Sequence, residues 1–237
     1  MLDFSTILGF LVPDATACRI AAGELRKELP GRTRAQLARV VVFRAKRAAA
    51  TAGAATGLAS SPITLAGAAA ADAAAVLKIE GKMAGTVAAL LDPESLDDEE
   101  AFRADVVAVV FPGLASQALR AMGVRGAQRF TKGLLRGKVG QGLLKGVAKQ
   151  AAKVMGAHLT EKALLTKTLP LAGVAVGGGW NWFEVGRAGD RAIRYYGHGV
   201  IDGRARRSVT SRVVGQLRRL PFVPDAAGPD EASRKGA

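Results

Sequence analysis

Apolar residues at helical spacing, interrupted by proline, divide this chain into a series of helices. Asp14, after Pro13, caps the first, and Cys18, Ile20, Ala21 and Leu25 supply its apolar face until Pro30 ends it. A second begins near Thr33 with Leu37, Val40, Val41 and Ala45, and is studded with Arg34, Arg39, Arg44, Lys46 and Arg47. From Ala48 to Ala71 there is no charged residue. At helical rise that run is long enough to cross a hydrocarbon core, but Ala, Gly, Ser and Thr bring little transfer free energy. Ser60, Ser61 and Pro62 also break it near its middle, which predicts two helices forming a bent hairpin. The return arm, Ile63 to Leu91, carries Asp72, Lys78, Glu80 and Lys82 along an otherwise apolar helix.

The second half repeats the theme with more glycine. Residues 92–100, DPESLDDEE, hold six acids in nine positions and read as a solvated loop leading into a helix start, where the helix dipole favours acids. Phe102 to Leu119 is apolar, with Pro112 and Gly113 inside it. In the stretch from Val124 to Lys162, Arg125, Arg129, Lys132 and Arg136, then Lys145, Lys149 and Lys153, recur at three or four residues, a basic stripe along one helical face. A second charge-free run, TLPLAGVAVGGGWNWF at 168–183, carries Pro170 and three successive glycines and predicts a second tight hairpin. A basic amphipathic segment with Arg187, Arg191 and Arg194 follows. The stretch from Pro221 to the end has the composition of a disordered tail. The expected fold class is all-α: a multi-helix bundle with two Gly/Ala-rich apolar hairpins and basic amphipathic helices. Residues 1–13 form an apolar docking segment, 14–220 the helical domain and 221–237 the tail.

Composition sharpens the packing. Hydrophobic residues make up 49% of the chain but aromatics only 5%, and there are 29 glycines, so the core is one of closely approaching helices with few large side chains between them. GxxxG spacing occurs in both apolar runs, at Gly53/Gly57 and Gly173/Gly177, the pairs expected to make helix contacts. The formal charge of +14 implies an anionic partner, either nucleic acid or an acidic lipid surface. The single Cys18 excludes an internal disulfide, and its apolar neighbours point to a buried, inert thiol.

Catalytic and cofactor patterns are missing. His158 and His198 lie far apart and in no metal motif, and the acidic block lacks the spacing of a calcium loop. There is no nucleophile elbow, no phosphate loop and no dinucleotide fingerprint, so no enzyme activity and no cofactor or metal is expected. The remaining signal is the set Trp180, Trp182, Tyr195 and Tyr196 beside Arg187, Arg191 and Arg194. Aromatics with a polar tip next to arginine suit a lipid headgroup region, with ordinary core packing of the rings as the alternative.

The order of these elements resembles the EcsC protein family. A basic helix leads into ATGLASSPITLAGAAAADAAAVLKIEGKMAGTVAALL, then DPESLDDEE, and later TLPLAGVAVGGGWNWFEVGRAGDRAIRYY, over roughly residues 15–200. The resemblance implies a bacterial protein associated with membranes, and no catalytic residue comes with it. Together with the charge, it leads to the expectation of a non-enzymatic protein on the cytoplasmic, inner face of the cell membrane. Its expected partners are anionic lipids and a membrane protein such as a transporter. The alternatives are a nucleic-acid-binding protein using the same basic helices, and a channel-forming or toxin-like helical protein.

Overall fold

The computed structural model describes residues 12–57, 62–123, 129–131, 137–144 and 172–202, all within one compact unit, Met1–Arg204. The expected docking segment before residue 12 and the expected tail from 221 lie outside the described residues. The described chain is all-α apart from one short ribbon.

Local chemistry sets the helix limits. Helix α1 (Ala15–Glu28) starts at Asp14, whose carboxylate accepts the amide of Thr16 at 3.0 Å, and it closes at Leu29, one residue before Pro30. Helix α2 (Arg34–Gly57) opens on a reciprocal cap in which the Gln36 amide donates to the Thr33 hydroxyl and the Thr33 amide donates to Gln36 Oε1. Helix α3 (Pro62–Leu91) runs 30 residues, and a 3-10 turn (Pro93–Leu96) follows it. Asp98 then caps α4 (Glu99–Val110), accepting from the Ala101 amide at 3.0 Å, with Glu99 and Glu100 in the first turn. Pro112 has no amide hydrogen to continue that helix, and the chain bends by 117° into α5 (Pro112–Ala121). Residues 138–144 are helical, and α6 (Ala172–His198) is the last helix described.

Three long helices form the frame. Val42, Lys46, Ala50 and Gly53 of α2 lie against Gly189, Gly186, Gly178 and Gly177 of α6, so these two helices run antiparallel. Asp72 of α3 meets Asn181 of α6, and Leu91 approaches Gly197, so α3 and α6 run parallel. Helix α4 lies antiparallel to α6, with Asp105 bonded to Tyr195 and the Val109 carbonyl to Arg191. Nine of its twelve residues are buried, which makes it the core element of the described chain. Helix α1 is seated on α3 where Cys18 faces Gly85.

Two local expectations change. Gly177, Gly178 and Gly179 do not turn the chain: residues 172–183 are continuous with the amphipathic segment in one 27-residue helix, with α2 packed on Gly177 and Gly178. Arg129, expected on a helical stripe, begins the strand β1 (Arg129–Thr131), which pairs antiparallel with β2 (Val200–Asp202) in the register Arg129↔Asp202. Backbone pairing with the residues just past α6 holds it extended.

Candidate functional site

The apolar runs are used inward. A β-carbon on Gly53 would stand 2.5 Å from the Gly177 carbonyl oxygen and would strike the Asn181 amide. One on Gly177 would stand 2.6 Å from the Gly53 carbonyl, and one on Gly178 2.9 Å from that of Ala50. Only glycine permits this approach. Asn181 closes the crossing, donating from Nδ2 to the Ala49 carbonyl at 3.1 Å and to Asp72 Oδ1 at 2.9 Å, and both polar side chains are buried. The surroundings of Gly57 and Gly173 lie outside the described residues.

A second polar layer lies deeper along α6. Arg191 reaches the C-terminal end of α4, donating from Nε to the Val109 carbonyl at 2.9 Å and from Nη2 to the Val110 carbonyl at 3.4 Å. Those carbonyls have no donor within their own helix, so the guanidinium supplies one. Burial holds Arg191 below its ordinary pKa, opposed by the nearby Glu80. Glu80 itself is buried on α3, and desolvation pushes its carboxyl up to about 8 although Arg191 pulls it down. Tyr195 donates its hydroxyl to Asp105, and its ring meets that of Tyr196 edge-on at 5.1 Å. The Tyr196 hydroxyl is buried with no partner among the described residues, and burial and the Asp105 charge raise its pKa.

These contacts correct part of the expected surface. Tyr195 and Tyr196 are 0% and 4% exposed, so they are core rings of the α4–α6 contact and not interface aromatics. Arg191 is withdrawn to cap α4 and is not an outward basic contact. Periodicity places all three on α6 correctly but does not show that α4 covers their side of it.

The outward face of the α2–α6 pair carries a different cluster. Phe43 and Phe183 are 52% and 48% exposed, two of four exposed large apolar side chains among the described residues, with Ile20 and Met122 elsewhere. Phe43 meets Trp182 edge-on, centroids 5.7 Å apart. Lys46 Nζ stands 4.4 Å from the centre of the Trp182 ring, and the Arg187 guanidinium 5.6 Å from that of Phe183. Gly186 makes room for the lysine stem, since a β-carbon there would stand 3.2 Å from Lys46 Cε. Arg39, Arg47 and Arg194 are exposed on the same two helices, and Trp180 is half-buried. Helix α2 contains no acidic residue, and Arg44, on its other side, is neutralised by Glu28 of α1 at 2.9 and 2.5 Å. Phe43, Lys46 and Phe183 were not singled out by sequence. The available signal was the spacing of Phe43 and Lys46, three apart on a helix without acids.

The rest of the expected basic set, Arg125, Lys132, Arg136, Lys145, Lys149 and Lys153, lies outside the described residues, as does the side chain of Arg129. The acidic block serves the fold. Besides the Asp98 cap, Asp97 pairs with Arg19, Glu99 with Arg103, and Glu100 accepts from Gln141 at 3.2 Å. The Cys18 thiol is buried and pushed up to about 12, chiefly by desolvation, which leaves it protonated and unreactive. Among the described residues, no three His, Cys, Asp or Glu side chains converge as metal ligands. Compared with known proteins, the chain matches no family model, no curated protein and no solved structure.

Proposed function

We propose that this chain is a non-enzymatic, membrane-associated bacterial protein that docks on anionic lipid at the inner face of the cell membrane and there modulates a membrane partner such as a transporter. The observation that carries the reading is the aromatic and basic seam of α2 and α6, in which the exposed Phe43 and Phe183 stand beside the half-buried Trp182, Lys46 and Arg187. Rings at headgroup depth with cations meeting phosphate are what an acidic bilayer surface selects. The EcsC resemblance belongs to the same proposal. So does the Gly/Ala-rich apolar hairpin joining α2 to α3, with basic amphipathic helices outside it, while the second apolar run continues into α6 as one helix.

Energetics favour docking over a channel. No single described helix is long and apolar enough to cross a membrane, and the bent pair of α4 and α5, which together reach that length and hydropathy, is largely buried in the core. Lys46 and Arg187 stand near the middle of their helices, where a bilayer centre would charge about 2.5–3.5 kcal/mol for each cation. At the surface the sign reverses, and each cation contributes about 1 kcal/mol of attraction.

The test is co-sedimentation of the purified protein with phosphatidylglycerol-containing and with neutral liposomes. Binding to the anionic vesicles, mostly released by high salt, is expected. Replacing Lys46 and Arg187 together by Gln is expected to weaken it about 30-fold, the equivalent of roughly 2 kcal/mol. Failure to bind either vesicle would overturn the membrane reading, and steeply salt-dependent binding to DNA or RNA alone would put nucleic acid in its place.

A further inference from the structure

The seam also specifies how the protein sits. We infer that the α2–α6 pair lies flat on an anionic phospholipid surface, with Phe43, Trp182 and Phe183 at headgroup level and Lys46 and Arg187 each meeting a lipid phosphate. This rests on the membrane reading above and adds to it an orientation.

The geometry points to a flat pose for three reasons. First, the antiparallel pair presents its rings and cations from one side: Phe43 and Lys46 of α2 both contact Trp182, and Arg187 covers Phe183 one turn further along α6. Second, the cations stand level with the rings: Arg39 lies in the N-terminal half of α2, Lys46 and Arg47 at its middle, and Arg187 and Arg194 in the C-terminal half of α6, which the antiparallel pairing brings side by side. Because rings and cations share the flank of the pair and not its end, laying the helices in the plane of the surface puts all of them at one depth. Third, cations outnumber acids along the seam: α2 has no acid, and Asp190, between Arg187 and Arg194 on α6, is the exposed carboxylate among them. Glu184, the other acid of α6, is only partly exposed and close enough to act on Glu80 and Arg191 beneath the surface.

The seam is shaped for shallow contact. Glycine at 186 leaves space into which the Lys46 stem folds, which keeps the ammonium over the Trp182 ring, and nothing lies within 4 Å of where a β-carbon on Gly179 would be. A lipid phosphate approaching Lys46 therefore meets an ammonium already held in place beside an indole. The acyl boundary meets two half-exposed phenyl rings.

The experiment reads depth directly. The Trp180→Phe variant leaves Trp182 as the single tryptophan of the chain. It is mixed with anionic vesicles whose lipids carry bromine at successive acyl positions, and with neutral vesicles of the same bromine series. The expected result is quenching in anionic vesicles alone, strongest for the shallowest bromine, with at least a tenfold loss of binding in Phe43→Ser combined with Phe183→Ser. Gly186→Val is expected to weaken binding, and Lys46→Arg to retain more of it than Lys46→Gln. Should Trp180→Phe unfold, a spin label on Phe183→Cys gives the same depth, because the buried Cys18 does not compete for the label. Co-sedimentation without change at Trp182 or position 183 would overturn the flat pose while leaving the membrane reading intact. Strongest quenching by the deepest bromine would replace a flat pose with an inserted one. Absence of binding would overturn both.

Discussion

Glu80 is a carboxylic acid in a place that disfavours its charge. Its pKa is about 8 in the folded protein against an ordinary 4.5, so folding is linked to keeping the proton. The sign follows from proton counting: the folded chain binds the proton more tightly, so the favourable contribution is fully present below about pH 4.5. It is lost as pH rises towards 8. Glu80→Gln keeps the shape and removes the charge, and thermal unfolding should show its Tm close to that of the parent at pH 5 and higher at pH 8.5. The difference corresponds to a few kcal/mol at most. The two adjacent tyrosines of α6 give a matched pair of opposite sign. Tyr196→Phe removes a buried hydroxyl that has no partner among the described residues and is expected to be neutral or to stabilise by up to about 1 kcal/mol. Tyr195→Phe takes a donor from the buried Asp105 and is expected to cost about 1–3 kcal/mol in chemical denaturation.

Between elements, the glycine contact of α2 and α6 governs stability. Gly53→Ala gives a helix a better residue by propensity, yet its methyl would have to occupy the place of the Gly177 carbonyl and the Asn181 amide. The clash wins, and a loss of about 1–3 kcal/mol is expected from urea unfolding, whereas Gly23→Ala, which meets nothing within 4 Å, should be neutral or stabilising. How far such elements are legible in sequence depends on whether their cause is local. Asp14, Pro30, Thr33 and Pro112 are punctuation that acts within one turn, and the helix limits fall where those residues put them. The three glycines at 177–179 are ambiguous for the opposite reason: alone they suggest a turn, and the helix through them has α2 packed on Gly177 and Gly178. A strand pair of three residues each carries too few positions to show a period, so β1 and β2 leave no trace in the pattern. The candidate site divides along the same line. Trp182 and Arg187 could be placed on one amphipathic helix, but only tertiary packing separates them from Arg191, Tyr195 and Tyr196, which face α4.

At the scale of the whole molecule, the surplus of positive charge and the inward use of small residues are two halves of one arrangement. Helices in close contact leave little room for large apolar side chains between them, and the exposed Phe43 and Phe183 stand out against that economy. Raising the ionic strength should leave Tm unchanged or raise it, since the described ion pairs are exposed and salt screens the repulsion within a chain of net charge +14, while it releases the protein from anionic vesicles. A scan of Tm and of vesicle binding across the same salt series separates the two effects. The Asn181 bond to the Ala49 carbonyl spans 132 residues of chain, and it marks how late α2 acquires its largest partner. A ribosome adding about 5–20 residues per second needs on the order of ten seconds to make that intervening length. For that interval α2 has emerged with its glycine face bare. Chains terminated before Ala172 should therefore collect in the insoluble fraction, and the full-length protein should depend on a holdase during synthesis more than its modest size suggests.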